Sequence, residues 1–179
     1  MIGLLLNGTL RLWIAYFLAE VMREPQDRRF AGKAIPVRNL IVVGGLSLLF
    51  PALHVLKRRW GRYPAWTDDL YLSIFWLDMA GNSFDLYDRY YHFDLIPHFH
   101  GTGAVAVVAM SGFEHSPWRA FAIANGVHGL LELQENLTDV FFGTHNVRGR
   151  WDTVGDLAAG LLGTCLYSLA YVRSRHRPS

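Results

Sequence analysis

Apolar residues in this chain are gathered into long runs that alternate with short polar connectors. Six runs predict helices, and they cover residues 1–22, 40–56, 67–81, 94–110, 118–142 and 152–172. Their length and their aromatic and basic flanks are typical of helices that cross a hydrocarbon layer about 30 Å thick. Arg11 interrupts the first run, which either crosses the membrane or lies in its interface, and Pro51 predicts a kink in the second. We therefore predict an all-α, polytopic membrane protein with six transmembrane helices, or five.

The composition agrees with this interpretation, and the clustering of the apolar residues argues against the alternative, a soluble protein. Charged residues make up 18% of the 179 residues, compared with about 25% in an average soluble protein. A soluble helical bundle with a large apolar core would share this composition, but its apolar residues would be dispersed rather than clustered. We expect a single integral membrane domain over residues 1–179. Its parts are N-terminal spans in 1–66, a four-helix core in 67–172 and a basic tail in 173–179.

Basic residues indicate how the chain lies in a membrane. Segment 57–62 and the tail 173–179 are rich in arginine, which favours the cytoplasmic side for both. No small-residue cleavage site follows the first run, so a cleaved signal peptide is not expected. We predict an integral protein of the cell membrane whose partner is the lipid bilayer, with other membrane subunits or a second copy as further candidates. A net charge of +2 gives no reason to expect nucleic acid, and the single cysteine, Cys165, excludes an internal disulfide.

Ionisable residues recur at helical spacing within the last two apolar runs. Positions separated by four, three and four residues share one face of a helix. The residues with this spacing are His128, Glu132, Glu135 and Asp139, followed by a pair four residues apart, Asp152 and Asp156. A single carboxylate at membrane depth costs about 2.5–3.5 kcal/mol. These groups are therefore predicted to face one another, water or a bound ion.

Alternating helix directions predict that the polar ends of the last four runs meet on one side of the membrane. The end of the third run, the start of the fourth, the end of the fifth and the start of the sixth all lie there. Asp88, Asp94 and His98 occupy the region between the third and fourth runs, so they join the acidic face. We predict a funnel that opens on the outer side, shallow at Asp88 and Asp139 and deep at Glu132.

Carboxylates and imidazoles in the interior of a helical bundle are ligands for zinc, manganese and iron. We predict a divalent metal site with the ligands His98, Glu132, Glu135, Asp152 and Asp156. The residues expected to support these ligands or to line the entrance are Asp88, Asp94, His128 and Asp139. An ion there would offset the repulsion among the acids and could activate water or polarise a carbonyl or phosphate group. The hypothesis is a protein that acts on a small or lipid-derived substrate, although the residues leave open whether it is an enzyme.

Two other functions fit the same residues. Coupled carboxylates and histidines also form proton or ion pathways in membranes. In the other alternative, the protein is a non-catalytic accessory subunit of a larger membrane complex. Its acids would then cap helices or pair with Arg89, Arg148 and Arg150. Haem bound by His98 or His100 with His128 is disfavoured, because a carboxylate-rich environment is unusual for b-type haem.

Three motifs together resemble a known group of proteins. They are GNSFDLYDRYYHFDLIPHFHG (81–101), ELQENLTD (132–139) and WDTVGDLAAGLLG (151–163). This set is similar to uncharacterised bacterial integral membrane proteins of the YjdF-like type, over about residues 78–163. The resemblance implies a polytopic fold in a bacterial inner membrane and implies no reaction. The residues that fall on its motif positions are Asp88, Asp94, His98, Glu132, Glu135, Asp152 and Asp156.

Overall fold

The structure is a computed structural model that describes residues 2–30, 33, 35–58, 60–149 and 151–175. Throughout these residues the regular elements are helices, which confirms the all-α prediction for this part of the chain. The elements are α1 (Ile2–Arg23), α2 (Ile35–Arg38), a π-helix (Asn39–Val43), α3 (Gly44–Leu46), α4 (Leu49–Lys57), α5 (Ala65–Ser83), α6 (Leu86–Arg89), α7 (Leu95–Phe113), α8 (Pro117–Phe142) and α9 (Asp152–Arg175).

Two of the described helices are long and apolar enough to cross a membrane. They are Gly3–Arg23 and Asp152–Arg175, each with a mean hydropathy of 1.3. A third crossing results if Asn39–Leu46 and Leu49–Leu56, which are bent by 42° at their junction, form one broken span. The prediction of six crossings is not supported by these helices. Long helices, α5, α7 and α8, do occupy the other three predicted runs, but they are not among the described helices that are long and apolar enough to cross a membrane.

Residue contacts divide the chain into two compact units, Met1–Tyr90 and Tyr91–Ser179. The division falls within the Tyr- and Asp-rich connector that precedes α7. In the first unit, α1 packs against α5. Their shared core is formed by fully or almost fully buried apolar side chains, namely Ile14, Phe17, Val43, Leu72 and Met79.

In the first unit, Arg11 pairs with a buried acid and also donates a hydrogen bond to a backbone carbonyl at a break between two helices. Its guanidinium lies 2.5 Å from Asp68, whose side chain is 0% exposed, and it also donates to Asn7 Oδ1 over 3.0 Å. A third bond of 2.7 Å reaches the carbonyl of Ser47, between α3 and α4. Pro51 lies four residues beyond Ser47 and has no N–H to donate to this carbonyl. The predicted kink is therefore present, and Arg11 supplies the donor that Pro51 lacks.

In the second unit, α7 packs very closely against α9 and also contacts α8. Glycines make the α7–α9 approach possible. A Cβ atom added to Gly103 would lie 2.7 Å from the ring of Tyr167, and one added to Gly163 would overlap the carbonyl of Phe99. Small residues at such contacts allow helix backbones to approach within van der Waals distance. This close approach brings the polar residues of the three helices together.

Candidate metal centre

All three long helices of the second unit contribute ionisable side chains to one cluster. His98 lies in the first turn of α7, and Asp94 immediately precedes that helix. In α8, His128 and Glu132 are one turn apart and therefore share a face. Their side chains are each 4% exposed. Asp156 lies in the second turn of α9 and is also buried.

Three of these side chains direct one atom each at a common point, and we call them the inner group: His98, His128 and Glu132. Nδ1 of His98 lies 2.8 Å from Nε2 of His128. Oε1 of Glu132 lies 3.3 Å from each of these nitrogens. This oxygen is inaccessible to solvent and has no hydrogen-bond partner among the described residues. The inner group thus contains an unsatisfied buried carboxylate oxygen facing two imidazole nitrogens.

The inner group has the dimensions of a metal site. In a tetrahedral zinc complex with bonds of about 2.0–2.1 Å, the ligand atoms are about 3.3–3.4 Å apart. Two of the three separations in the inner group are 3.3 Å, so only the 2.8 Å separation of the nitrogens would have to widen. An ion about 1 Å above the plane of the three atoms would lie within bonding distance of each. Three protein ligands would leave a fourth position open.

The other nitrogen of His98 faces a second set of acids. Nε2 lies 3.3 Å from Oδ1 of Asp94 and 3.9 Å from Oδ1 of Asp156. We call Asp94, His98 and Asp156 the outer group, because the side chains of His98 and Asp94 are 15% and 19% exposed. A carboxylate that accepts the second N–H of an imidazole fixes the orientation of that ring. Asp94 is placed to do this for His98.

Gly160 in α9 makes room for the ring of His128. A Cβ atom at this position would overlap Nδ1 and Cε1 of His128 and would lie 2.8 Å from Oγ1 of Thr102. The imidazole therefore occupies space that any other residue at position 160 would fill. Gly160 was not predicted as part of the site, since a glycine in an apolar helix indicates helix packing in general rather than a particular neighbour.

The structure brings together part of the predicted ligand set. His98, Glu132 and Asp156 lie in the two groups, whereas Glu135 and Asp152 lie in neither. Two residues that were expected only to support the ligands, His128 and Asp94, belong to these groups and could each offer a ligand atom. The signal for His128 was its spacing of four residues from Glu132, which places both side chains on the same face of α8.

The remaining predicted residues are engaged elsewhere. Asp139 accepts hydrogen bonds from the backbone N–H groups of Asn146 and Val147 at 2.8–3.0 Å, and so secures the loop after α8. Asp152 accepts the backbone N–H of Arg148 over 2.8 Å. In the first unit, Asp88 forms an ion pair of 3.2 Å with Lys33.

Two of the arginines proposed as structural partners, Arg89 and Arg148, have polar interactions in the structure. Nε of Arg89 lies 3.5 Å from Asp85, and the side chain of Arg148 donates to the carbonyl of Tyr91 over 3.1 Å. Arg150 lies outside the described residues. The second histidine of α7, His100, is hydrogen-bonded to Tyr167 over 2.8 Å. Comparisons of the chain with protein-family models, with curated proteins and with solved structures gave no match.

Proposed function

We propose that this chain is an integral membrane protein that binds a divalent metal ion at the inner group. The observation that carries the proposal is the convergence of His98 Nδ1, His128 Nε2 and Glu132 Oε1, with the carboxylate oxygen lacking any donor among the described residues. Two imidazoles and a carboxylate are ligands that zinc, manganese and iron accept. A bound ion would compensate the charge of Glu132, which is otherwise costly at this depth.

The surface around the centre supports a membrane location. On α8 and α9, large apolar side chains point away from the protein, including Leu130 (67% exposed), Val140 (76%) and Leu162 (55%). Large exposed apolar patches on a protein mark membrane or protein contacts, and these helices expose many large apolar side chains. The exposed apolar side chains lie on the same helices as the buried polar side chains of the centre. In a membrane, lipid would therefore shield the centre on its sides, and the centre would open toward polar surroundings at one end.

The open coordination position is the basis for activity in this proposal. A metal ion with three protein ligands can activate water or polarise a carbonyl or phosphoryl oxygen. Within the chain, Glu132 and the two imidazoles would hold the ion, and Asp94 would orient His98 from its other side. The apolar surroundings favour a small or lipid-derived substrate that enters from the membrane.

Metal analysis of two matched variants tests this proposal. Protein purified in mild detergent without chelator is compared with Glu132→Gln and with Glu135→Gln, which makes the same change three residues away in neither group. We expect bound zinc, manganese or iron in the wild-type protein and in Glu135→Gln, and a reduced content in Glu132→Gln. Equal metal content in all three proteins would overturn the assignment. Absence of metal from all three would favour the accessory-subunit function.

The hydrogen bond between His98 and His128 supports a second candidate, a proton pathway. The 2.8 Å bond connects the partly exposed Asp94 to the buried Glu132 through two imidazoles, an arrangement that can transfer protons. In liposomes with a pH gradient, this function predicts proton flux that persists in the presence of a strong chelator and is lost in His98→Ala. No flux in the wild-type protein would exclude it.

A further inference from the structure

His98 uses its two ring nitrogens toward two different ligand groups. Nδ1 faces the inner group, and Nε2 faces the carboxylates of Asp94 and Asp156 in the outer group. We propose that the outer group is a second divalent-cation position, so that the imidazole of His98 bridges a dinuclear centre. This inference rests on the proposed metal binding at the inner group and adds a second ion to it.

A single metal ion at the inner group does not account for the buried carboxylate of Asp156. Its side chain is 5% exposed, and its one ion pair among the described residues is with Nε2 of His98, 3.9 Å away. That separation is too long for a hydrogen bond. No hydrogen bond to this carboxylate from another described residue is present in the structure. A buried carboxylate without donors is costly, and a cation between Asp156 and His98 would remove this cost.

Asp94 adds a second carboxylate, and therefore a second negative charge, to the outer group. Its Oδ1 atom lies 3.3 Å from Nε2 of His98, and all three ligand atoms of the outer group lie within 4.8 Å of one another. If Asp94 served only to orient His98, its position would be accounted for but that of Asp156 would not. The partial exposure of Asp94 also allows water to complete the coordination of an ion there.

The charges balance when two ions are present. The two groups together contain three carboxylates, those of Asp94, Glu132 and Asp156, and only His98 and His128 as possible cations. One divalent ion at the inner group with neutral histidines leaves one negative charge uncompensated. When the second ion binds, the bond between Nε2 of His98 and its proton breaks, a bond from Nε2 to the ion forms, and the proton leaves to solvent past Asp94. The resulting imidazolate and three carboxylates carry four negative charges, which two divalent ions neutralise.

Metal stoichiometry tests the second position separately from the first. The wild-type protein is titrated with zinc in detergent, alongside Asp156→Asn and Asp152→Asn. The latter makes the same change one turn earlier in α9, in neither group, and helical circular dichroism verifies that each variant is folded. We expect two ions per chain in the wild-type protein and in Asp152→Asn, and one in Asp156→Asn. One ion in the wild-type protein would overturn the second position and leave the proposed function standing, whereas no bound zinc would overturn both.

Copper provides a test that requires no variant to fold. Two Cu(II) ions bridged by one imidazolate are magnetically coupled, so the electron paramagnetic resonance signal of the wild-type protein should account for less than the total bound copper. A signal that accounts for all the copper at two ions per chain would show two independent ions and would overturn the bridge at His98.

Discussion

Replacing Gly160 with alanine should weaken metal binding at the inner group about 100-fold without replacing any of the proposed ligands. The added methyl group would overlap Nδ1 and Cε1 of His128. Ordinary contact between heavy atoms requires about 3.5–4.0 Å, so the imidazole would have to move by roughly 1 Å or more. On the other side of the methyl group, Oγ1 of Thr102 at 2.8 Å prevents α9 from adjusting toward it. The ring of His128 is therefore the part that must give way.

A displacement of this size is large compared with the tolerance of a metal site. Ligand distances are held to within about 0.2 Å, so a shift of roughly 1 Å removes His128 from the coordination sphere. Loss of this kind of positioning costs about 100-fold in affinity or rate. The helix itself should not suffer, because alanine is favoured over glycine in a helix by up to about 1 kcal/mol. We expect zinc affinity to fall about 100-fold while the helical content stays the same.

The matched control is the same substitution at Gly155, five residues earlier in α9. A Cβ atom there would lie 3.6 Å from Cδ2 of Leu95, which is an ordinary contact. Zinc affinity is measured for both variants by competition with a chromophoric chelator in detergent, and thermal unfolding is followed by circular dichroism. Gly155→Ala should bind zinc like the wild-type protein. If folded Gly160→Ala also binds zinc with wild-type affinity, His128 is not a ligand and the inner group is wrongly assigned.

A double variant separates steric overlap from other effects of the new methyl group. Removing the imidazole with His128→Ala creates space for alanine at position 160. If the overlap causes any loss of thermal stability in Gly160→Ala, adding His128→Ala should restore that stability but not zinc binding. A double variant that remains as unstable as Gly160→Ala would show that the methyl group disturbs the helix packing by another route.

Three further changes test the fold and its electrostatics. Arg11→Met leaves Asp68 buried without its cation, so the free energy of unfolding in detergent should fall by about 3 kcal/mol; an unchanged melting temperature would show that the acid is compensated otherwise. Asp139→Asn weakens the anchoring of the loop after α8, which should increase proteolysis there without changing metal content, and a change in metal content would place Asp139 in the site. A hydrogen bond from the side chain of Arg29 holds the pKa of the Asp27 carboxyl at about 2. Because this pKa is below its unfolded value of about 3.9, the stabilisation is fully present above pH 4 and disappears as the pH falls through 2. The difference in melting temperature between wild type and Asp27→Asn should therefore shrink over that interval, and a difference that persists below pH 2 would contradict the ion pair.

The sequence alone predicted which helices carry the centre, and it could not predict which acids belong to it. Glu132 was identified because its position near the middle of an apolar helix leaves no capping role for it. Glu135 and Asp139 have the same helical periodicity, but a face of a helix extends over several turns while a metal site occupies only one. The conformation of the loop after α8 decides that Asp139 binds backbone N–H groups, and periodicity contains no information about that loop.

The number of membrane crossings was harder to predict for a related reason. An apolar run in the sequence shows where a helix forms, but acids within the run can pair with partners from distant parts of the chain. Asp68 lies near the start of α5 and pairs with Arg11, 57 residues earlier in the sequence. Such long-range pairs are set by tertiary packing, so hydropathy along the chain describes the helices better than it describes their depth in a bilayer.

The pairing of Arg11 with Asp68 also constrains the order of events during biosynthesis. At about 5–20 residues per second, Arg11 is synthesised roughly 3–11 s before Asp68. Alone in lipid, a central arginine costs an inserting helix about 2.5–3.5 kcal/mol. The carboxylate of Asp68 supplies the counter-charge for Arg11, so α1 would insert at a lower cost once α5 has been made. A nascent chain arrested before α5 would lack this counter-charge, and its α1 would be held less stably in lipid.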